Sequence, residues 1–573
     1  EQAIWVGYQP KLKELFPEID FDFQHPEEIL IACDGKHLVI AGRDRWDPDN
    51  LIIDRDVGKP QAIQFEYGTV NAVYTFLQDY LGVRWLWPGE LGEDIVEQST
   101  IDFEPFEYRY HPQIRYRGGL FNIMARQHRL GRGGDWLRLQ RGALGSLEMN
   151  AGGHGFGSWW DRFHEEHPEY FAMQPDGKRS GFPEGNAKMC HSNPGLADQW
   201  IEEVARQLEE EPLQRVFNAS PNDSGARGHC VCENCRAWDH PDAETLIFTW
   251  QGLSQEYVAI SDRQVKFANI VARKLREKYP DKDYYVSLMA YGNWRPAPVA
   301  EKPDDNVIIV NVANYFWNVD TPTARGANNP AAQQYADWGK MANRQVWRPN
   351  TGDPAGWQKG LPDVPFGRRA EAFQFAATNN CVGIFVDMVW NHWATQGPIY
   401  YLMAQLAWNP FDDWQAIMDD YYRRAFGPAA AELKDYWELM EEARDRKVDE
   451  YPGEGNGYAE VYDQAFFDKV YGLLDRAAQK TADAPAKYAA RVAFVRVGLD
   501  YTKIMADLRQ YMTRVIDSKG RDKEADQAAR AQWDQIEALK EAHPAALNWR
   551  IIVPGSRSMR RGGGMHPDYV GRR

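Results

Sequence analysis

A chain of 573 residues is too long for a single hydrophobic core and implies two to four domains. Its 43% hydrophobic and 26% charged residues are those of a folded soluble protein, and no apolar run approaches the roughly 18 residues of a membrane span. A net charge of −17 argues against nucleic acid as the main partner, because phosphate binding requires a basic surface. The chain opens Glu1-Gln2 rather than with Met, so removal of a leader is expected and a secreted or periplasmic location is inferred indirectly.

Residues 1–110 read as a small α/β N-terminal domain. His37–Gly42 is a short apolar strand, Gly68–Leu77 starts a helix, and Tyr80–Gly89 is punctuated by Gly and Pro as a turn and strand. From 111 to 410 strands alternate with amphipathic segments. The expected strands are Ile114–Gly118, Leu144–Met149, Arg215–Ala219, Tyr285–Ala290, Val307–Val312, Gln345–Arg348 and Val382–Asp387. Apolar strands separated by helices imply a parallel sheet covered on both faces, and this many repeats fit a (β/α)8-type barrel better than an open sheet. No Gly-rich dinucleotide fingerprint follows any strand, and no cofactor is expected. Residues 411–573 read as a helical C-terminal domain with a basic tail: Leu, Tyr, Ala and Met recur at three- and four-residue spacing from Asp412 to His543.

In such a barrel the chemistry lies at the C-terminal ends of the strands. The segment Phe217–Gly225 ends a strand in a loop holding Asn222 beside Asp223. Glycoside hydrolysis needs a carboxylic acid for the leaving oxygen and a second group for the developing oxocarbenium ion. Asp223 is the expected acid, with Asn222 or a substrate N-acetyl amide assisting. The alternative is a Pro-Asn-Asp turn whose side chains bond their own backbone. Asp387 and Glu148, at the ends of two further strands, are candidate second carboxylates.

The Gly-rich stretch Asn150–Trp160 offers His154 for sugar binding and Trp159 for stacking. Arg117, Tyr291 and Arg348 fall at strand ends, and Trp317, Trp347 and Trp390 are candidate platforms. The 22 Trp suit a glycan-binding cleft, because sugar C–H faces stack on flat aromatic rings, although most are expected to fill cores. Six Cys are too few for a disulfide scaffold. Cys230, Cys232 and Cys235 are spaced for a small disulfide or a structural metal, and Cys190 or Cys381 would complete a ligand set if the fold brought it near. A four-ligand zinc site normally shows two separated pairs, and no second pair exists here. No catalytic metal is expected.

Gly68–Tyr74 with Tyr80–Trp85, His167–Ala172 with Asp176–Arg179, Ser220–Asp223 leading to Cys232–Asp239, and Tyr400–Pro410 together resemble the bacterial DUF4838-type family. That family is related in part to glycoside hydrolase family 163, endo-β-N-acetylglucosaminidases acting on N-glycans. The first of these stretches is similar to the N-terminal domain of hexosaminidases and α-glucuronidases. The resemblance implies an exported (β/α)-barrel hydrolase with a glycan substrate and substrate-assisted retention on an N-acetylhexosamine. Two other functions fit the same residues. One is a uronate lyase or dehydratase, with His154 or Tyr291 as base and Arg117 or Arg348 neutralising a carboxylate. The other is a non-catalytic glycan-binding protein.

Overall fold

The computed structural model describes residues 2–46, 64–119, 133–142, 153–212, 214–250, 253–313, 330–349, 360–386, 389, 391–451, 457–552 and 565–570. Near the N-terminus, β1 (Ala3–Val6), β2 (Ile29–Cys33), β3 (His37–Gly42) and β4 (Phe106–Tyr110) form one sheet in the order β1-β3-β2-β4. Strand β1 runs parallel to β3, and β2 is antiparallel to both of its neighbours. Side chains alternate across a strand, so β2 serves two layers. Leu30 and Ala32 pack with Leu12 and Phe16 on one face, whereas Ile29 and Ile31 pack with Ala72, Phe76 and Trp408 on the other. The helix Gly68–Thr75 supplies Ala72, and Trp408 reaches this sheet from a distant part of the chain.

The central sheet consists of six parallel strands: β5 (Tyr116–Gly119), β6 (Val216–Asn218), β7 (Tyr285–Ala290), β8 (Val307–Asn311), β9 (Gln345–Trp347) and β10 (Cys381–Phe385). They pair in the order β6-β7-β8-β9-β10-β5. The first strand in sequence therefore lies beside the last, the cyclic order of a curled parallel half-barrel. The expected closing strand, Leu144–Met149, lies outside the described residues. Between the strands run helices Pro194–Glu210, Ser261–Lys278, Pro330–Met341 and Phe366–Ala377, which cover the outer face.

Side-chain direction divides this sheet. Tyr116, Val216, Met289, Ile308, Val310 and Val346 form a small inner cluster, joined at its edge by Tyr291, Val312 and Phe385. Their neighbours one residue along point outward. Phe217, Val286, Leu288 and Ile309 meet the helices Pro194–Glu210 and Ser261–Lys278, and Trp347 and Ile384 meet Phe366–Ala377. Arg117, next to Tyr116, is one of the outward residues.

The C-terminal half is helical. Every residue of Trp393–Trp408 is buried, an apolar-all-round helix of the kind found only inside a core. Helices Trp414–Phe426, Ala430–Glu450, Gln464–Thr481, Ala486–Asp517 and Lys523–Ala542 surround it. Among the described residues thirteen Trp lie in the cores, which accounts for most of the Trp excess by packing.

Arg117 does not line the mouth of the sheet. It is 1% exposed, donates to Glu27 Oε2 at 2.5 Å and to the carbonyls of Ile114 and Arg141, and lies 5.1 Å from the Trp408 ring. It joins the N-terminal region to the central parallel strands. Burial raises the Glu27 carboxyl pKa, and the Arg117 charge only partly offsets this. Removing one partner of a buried pair strands the other charge, so Arg117→Ala is expected to destabilise the fold by about 3–5 kcal/mol. Denaturant unfolding checks this through a lower midpoint at unchanged slope. A substrate-binding arginine would instead raise KM and leave the midpoint in place.

Candidate active site

The C-terminal ends of β6, β7 and β9 bring together a polar group. Asn218 closes β6 with its side chain turned to the loop that carries His154. Its Nδ2 donates to the Gly153 carbonyl at 2.9 Å, and its Oδ1 accepts from Ser220 N at 2.7 Å. Gly155 N donates to Ser220 O at 2.9 Å, and a Cβ on Gly155 would stand 2.4 Å from Asn218 O, so only Gly allows this approach. The Gly-rich stretch is thus stitched to the end of β6, and His154 stands over the Asn222-Asp223 loop.

His154 Nδ1 lies 2.6 Å from the Pro221 carbonyl. A carbonyl only accepts, so Nδ1 carries the proton, and in the neutral ring the Nε2 lone pair is left to act as acceptor or base. Burial lowers the His154 pKa, Asp223 and the Pro221 carbonyl oppose the shift, and Lys188 and Arg348 reinforce it. The Tyr291 ring lies 6.5 Å from the imidazole, and the phenol is electrostatically coupled to the Asp223 carboxylate. Burial raises the pKa of that phenol, and the Asp223 charge raises it further. Asp223 itself is exposed and also accepts from Ser224 N at 2.7 Å. Arg348, one residue past β9, sits 5.6 Å from the Phe385 ring. His154, Asp223, Tyr291 and Arg348 form one electrostatically linked set: a carboxylate, a neutral imidazole, a phenol and a guanidinium.

The other expected residues are placed differently. Asn222 is 2% exposed and its amide is fully used by backbone, with Nδ2 on the Phe156 and Ala187 carbonyls at 2.9 Å and Oδ1 accepting from Phe156 N at 3.2 Å. It shapes the loop and does not face the mouth. Trp159 is 4% exposed and packs edge-on against Phe156 at 5.1 Å. Trp347 is fully buried, with Nε1 donating to Ala313 O at 3.0 Å. Both are core residues, and neither can stack on a sugar. Asp387, Glu148, Trp317 and Trp390 lie outside the described residues. A cavity of about 320 Å³ opens elsewhere, lined by Asp79, Arg84, Arg141, Trp408 and Asp412 among others, and includes none of the expected site residues.

Sequence reasoning missed Lys188. Its fully buried ammonium donates to the Asn222 carbonyl and, at 2.6 Å, to the Asp223 carbonyl, and it lies 5.5 Å from the Trp294 ring. Burial pushes its pKa down to about 7 against the pull of Asp223. An isolated Lys in a polar segment has no local signature; only the folding of Ala187–Cys190 under the loop reveals it. Cys190 of that segment completes a cluster with Cys230, Cys232 and Cys235, the one group of metal-binding side chains found among the described residues. Cys381 is buried in β10, with its thiol donating to Gly383 O at 3.1 Å.

The ionisable side chains gather at the C-terminal edge of the parallel half-barrel, the edge at which (β/α) folds carry their sites. Residues 94–438 match the family model described as a domain of unknown function, DUF4838, and the chain belongs to that family. A search of the curated proteins finds no match. Among solved structures the chain is similar to CpGH84D, with 11% identity and a TM-score of 0.40 over 94% of this chain and 84% of that one. It is also similar to a GH138 enzyme targeting pectin rhamnogalacturonan II, with 10% identity and a TM-score of 0.43 over 99% of this chain and 76% of that one. At these values neither similarity bears on the chemistry of this chain.

The imidazole pKa has a direct test. His154 is expected to titrate below pH 6.5, protonating only as the pH falls through its lowered value, with the neutral ring protonated at Nδ1. Nitrogen-15 NMR of labelled histidine reads both, and a pKa above 6.5 would show that the Asp223 charge outweighs desolvation. Lys188→Met is expected to cost about 1–3 kcal/mol, since it leaves the buried Asn222 carbonyl without its donor. Thermal unfolding measures the loss.

Proposed function

We propose that this chain is a glycoside hydrolase acting on a complex glycan or polysaccharide at the mouth of the parallel sheet. The observation that carries the reading is the meeting of Asp223, Tyr291, His154 and Arg348 on one open edge. Asp223 acts as the acid on the leaving oxygen. Its carboxylate accepts from the Ser224 N–H, and Lys188 holds the Asn222 and Asp223 carbonyls of its loop. With Asp223 as the acid, a substrate N-acetyl oxygen would be the nucleophile, and the Tyr291 phenol a donor to that amide. Substrate-assisted retention on an N-acetylhexosamine is the form of the reaction this supports, in line with the resemblance to glycoside hydrolase family 163. A complete (β/α)8 barrel and a secreted or periplasmic setting belong to the same proposal. Asp387 and Glu148 remain the candidates for a second carboxylate.

A second reading is favoured by one observation. His154, held as a neutral ring with Nε2 available, is the state a lyase base requires, and Arg348 nearby could neutralise a uronate carboxylate.

A screen of natural glycans and acidic polysaccharides with product analysis, run beside Asp223→Asn, tests both. The variant is expected to fold as the parent does, since the side chain is exposed, and to lose at least about a hundredfold in kcat, as removal of a general acid does. Reducing-end products without ultraviolet absorbance support hydrolysis. Unsaturated products that absorb, lost in His154→Gln and kept in Asp223→Asn, would replace it with the lyase reading.

A further inference from the structure

Cys190 stands at the end of the segment that carries Lys188, whereas Cys230, Cys232 and Cys235 lie on the far side of the Asp223 loop. The fold brings all four sulfurs within 4.8 Å of one another. Cys190 Sγ lies 3.7 Å from Cys232 Sγ and 3.8 Å from Cys235 Sγ. Four sulfurs at about 2.3 Å from one zinc ion, at tetrahedral angles, stand about 3.8 Å apart. A disulfide would require about 2.05 Å. The separations are therefore those of a tetrahedral thiolate set.

The surroundings are built for negative charge. Met173 N donates to Cys230 Sγ at 3.2 Å and Cys235 N to Cys232 Sγ at 3.5 Å, and Ser192 Oγ lies 3.1 Å from Cys235 Sγ. Backbone and side-chain donors aimed at sulfur orient thiolates and spread their charge around a metal. Cys232 also caps the short helix Glu233–Arg236, so Cys232 and Cys235 are presented from one tight turn. Cys190, Cys230 and Cys235 are 3% exposed or less, and Cys232 is partly buried, so the site lies largely beneath the surface.

We propose that Cys190, Cys230, Cys232 and Cys235 ligate one structural zinc ion. With four protein ligands the metal has no open position for catalysis. Its task is mechanical: it ties the segment ending at Cys190 to the loop beginning at Cys230, and so clamps both ends of the support beneath Asp223. The two-pair spacing usual for zinc is replaced here by three cysteines on one loop and a fourth brought from 40 residues away.

The full chain, purified without chelator, is to be assayed by inductively coupled plasma mass spectrometry and by native mass spectrometry. About one zinc per chain is expected. Exchange with cobalt should give the visible bands and thiolate charge-transfer absorption of a tetrahedral all-sulfur site. These measurements use the unaltered protein, so they hold even where Cys235→Ser fails to fold. Cys33→Ser and Cys381→Ser should retain the metal, and Cys235→Ser, where soluble, should lose it. Removing zinc under denaturing conditions and refolding with and without it should lower the thermal midpoint only in its absence. Protein free of metal, with the four thiols open to alkylation in the native state or paired as disulfides in peptide maps, would overturn the proposal.

Discussion

Along β7, Tyr285, Met289 and Tyr291 turn to the inner cluster of the sheet, and Val286, Leu288 and Ala290 turn away to the covering helices. This two-residue alternation, repeated on parallel neighbours in register, governs which polar side chains meet. It aims Tyr291 at the mouth, and it sends Arg117 and Trp347 to the other face. A side chain one position off in the pleat is on the opposite surface, whatever its chemistry.

The open edge depends on buried polar groups that hold its loops. Asn218 and Asn222 fasten the Gly-rich stretch around His154 to the end of β6, and Lys188 binds two successive carbonyls of the Asp223 loop. Such groups are stable inside a protein because each has partners. The candidate reactive groups stand on this support: Asp223 and His154 reach solvent, while Asn222 and Lys188 beneath them do not. Lys188 links the two regions of interest, since it lies two residues from Cys190. The sulfur cluster and the Asp223 loop are parts of one layer.

The N-terminal sheet and the helical half are held to the central parallel strands in the same manner, by buried contacts between distant residues. Arg117 spans to Glu27, and Trp408 lies between Arg117 and Arg141 while packing against Ile29 and Ile31. The family model begins at residue 94, after most of the N-terminal sheet. A sheet joined through a buried ion pair and a shared Trp contributes to the stability of the strands it touches, whether or not it takes part in chemistry.

Local periodicity was enough to place several of the elements. Tyr285–Ala290 and Val307–Val312 read as strands from their apolar runs, and Ala486–Ile516 as a helix from its spacing, because these signals lie within a few residues of one another. The identity of the Asp223 loop was likewise legible, as a strand end leading into Pro and Gly. Direction across the sheet was not. A strand buried on both faces is apolar at every position, so nothing in Gln345–Arg348 tells whether Trp347 or Arg348 faces the mouth. Nor could spacing join Cys190 to Cys230, or Lys188 to Asn222. Those contacts close loops of dozens of residues, and only the packing of the whole chain selects which distant side chain arrives.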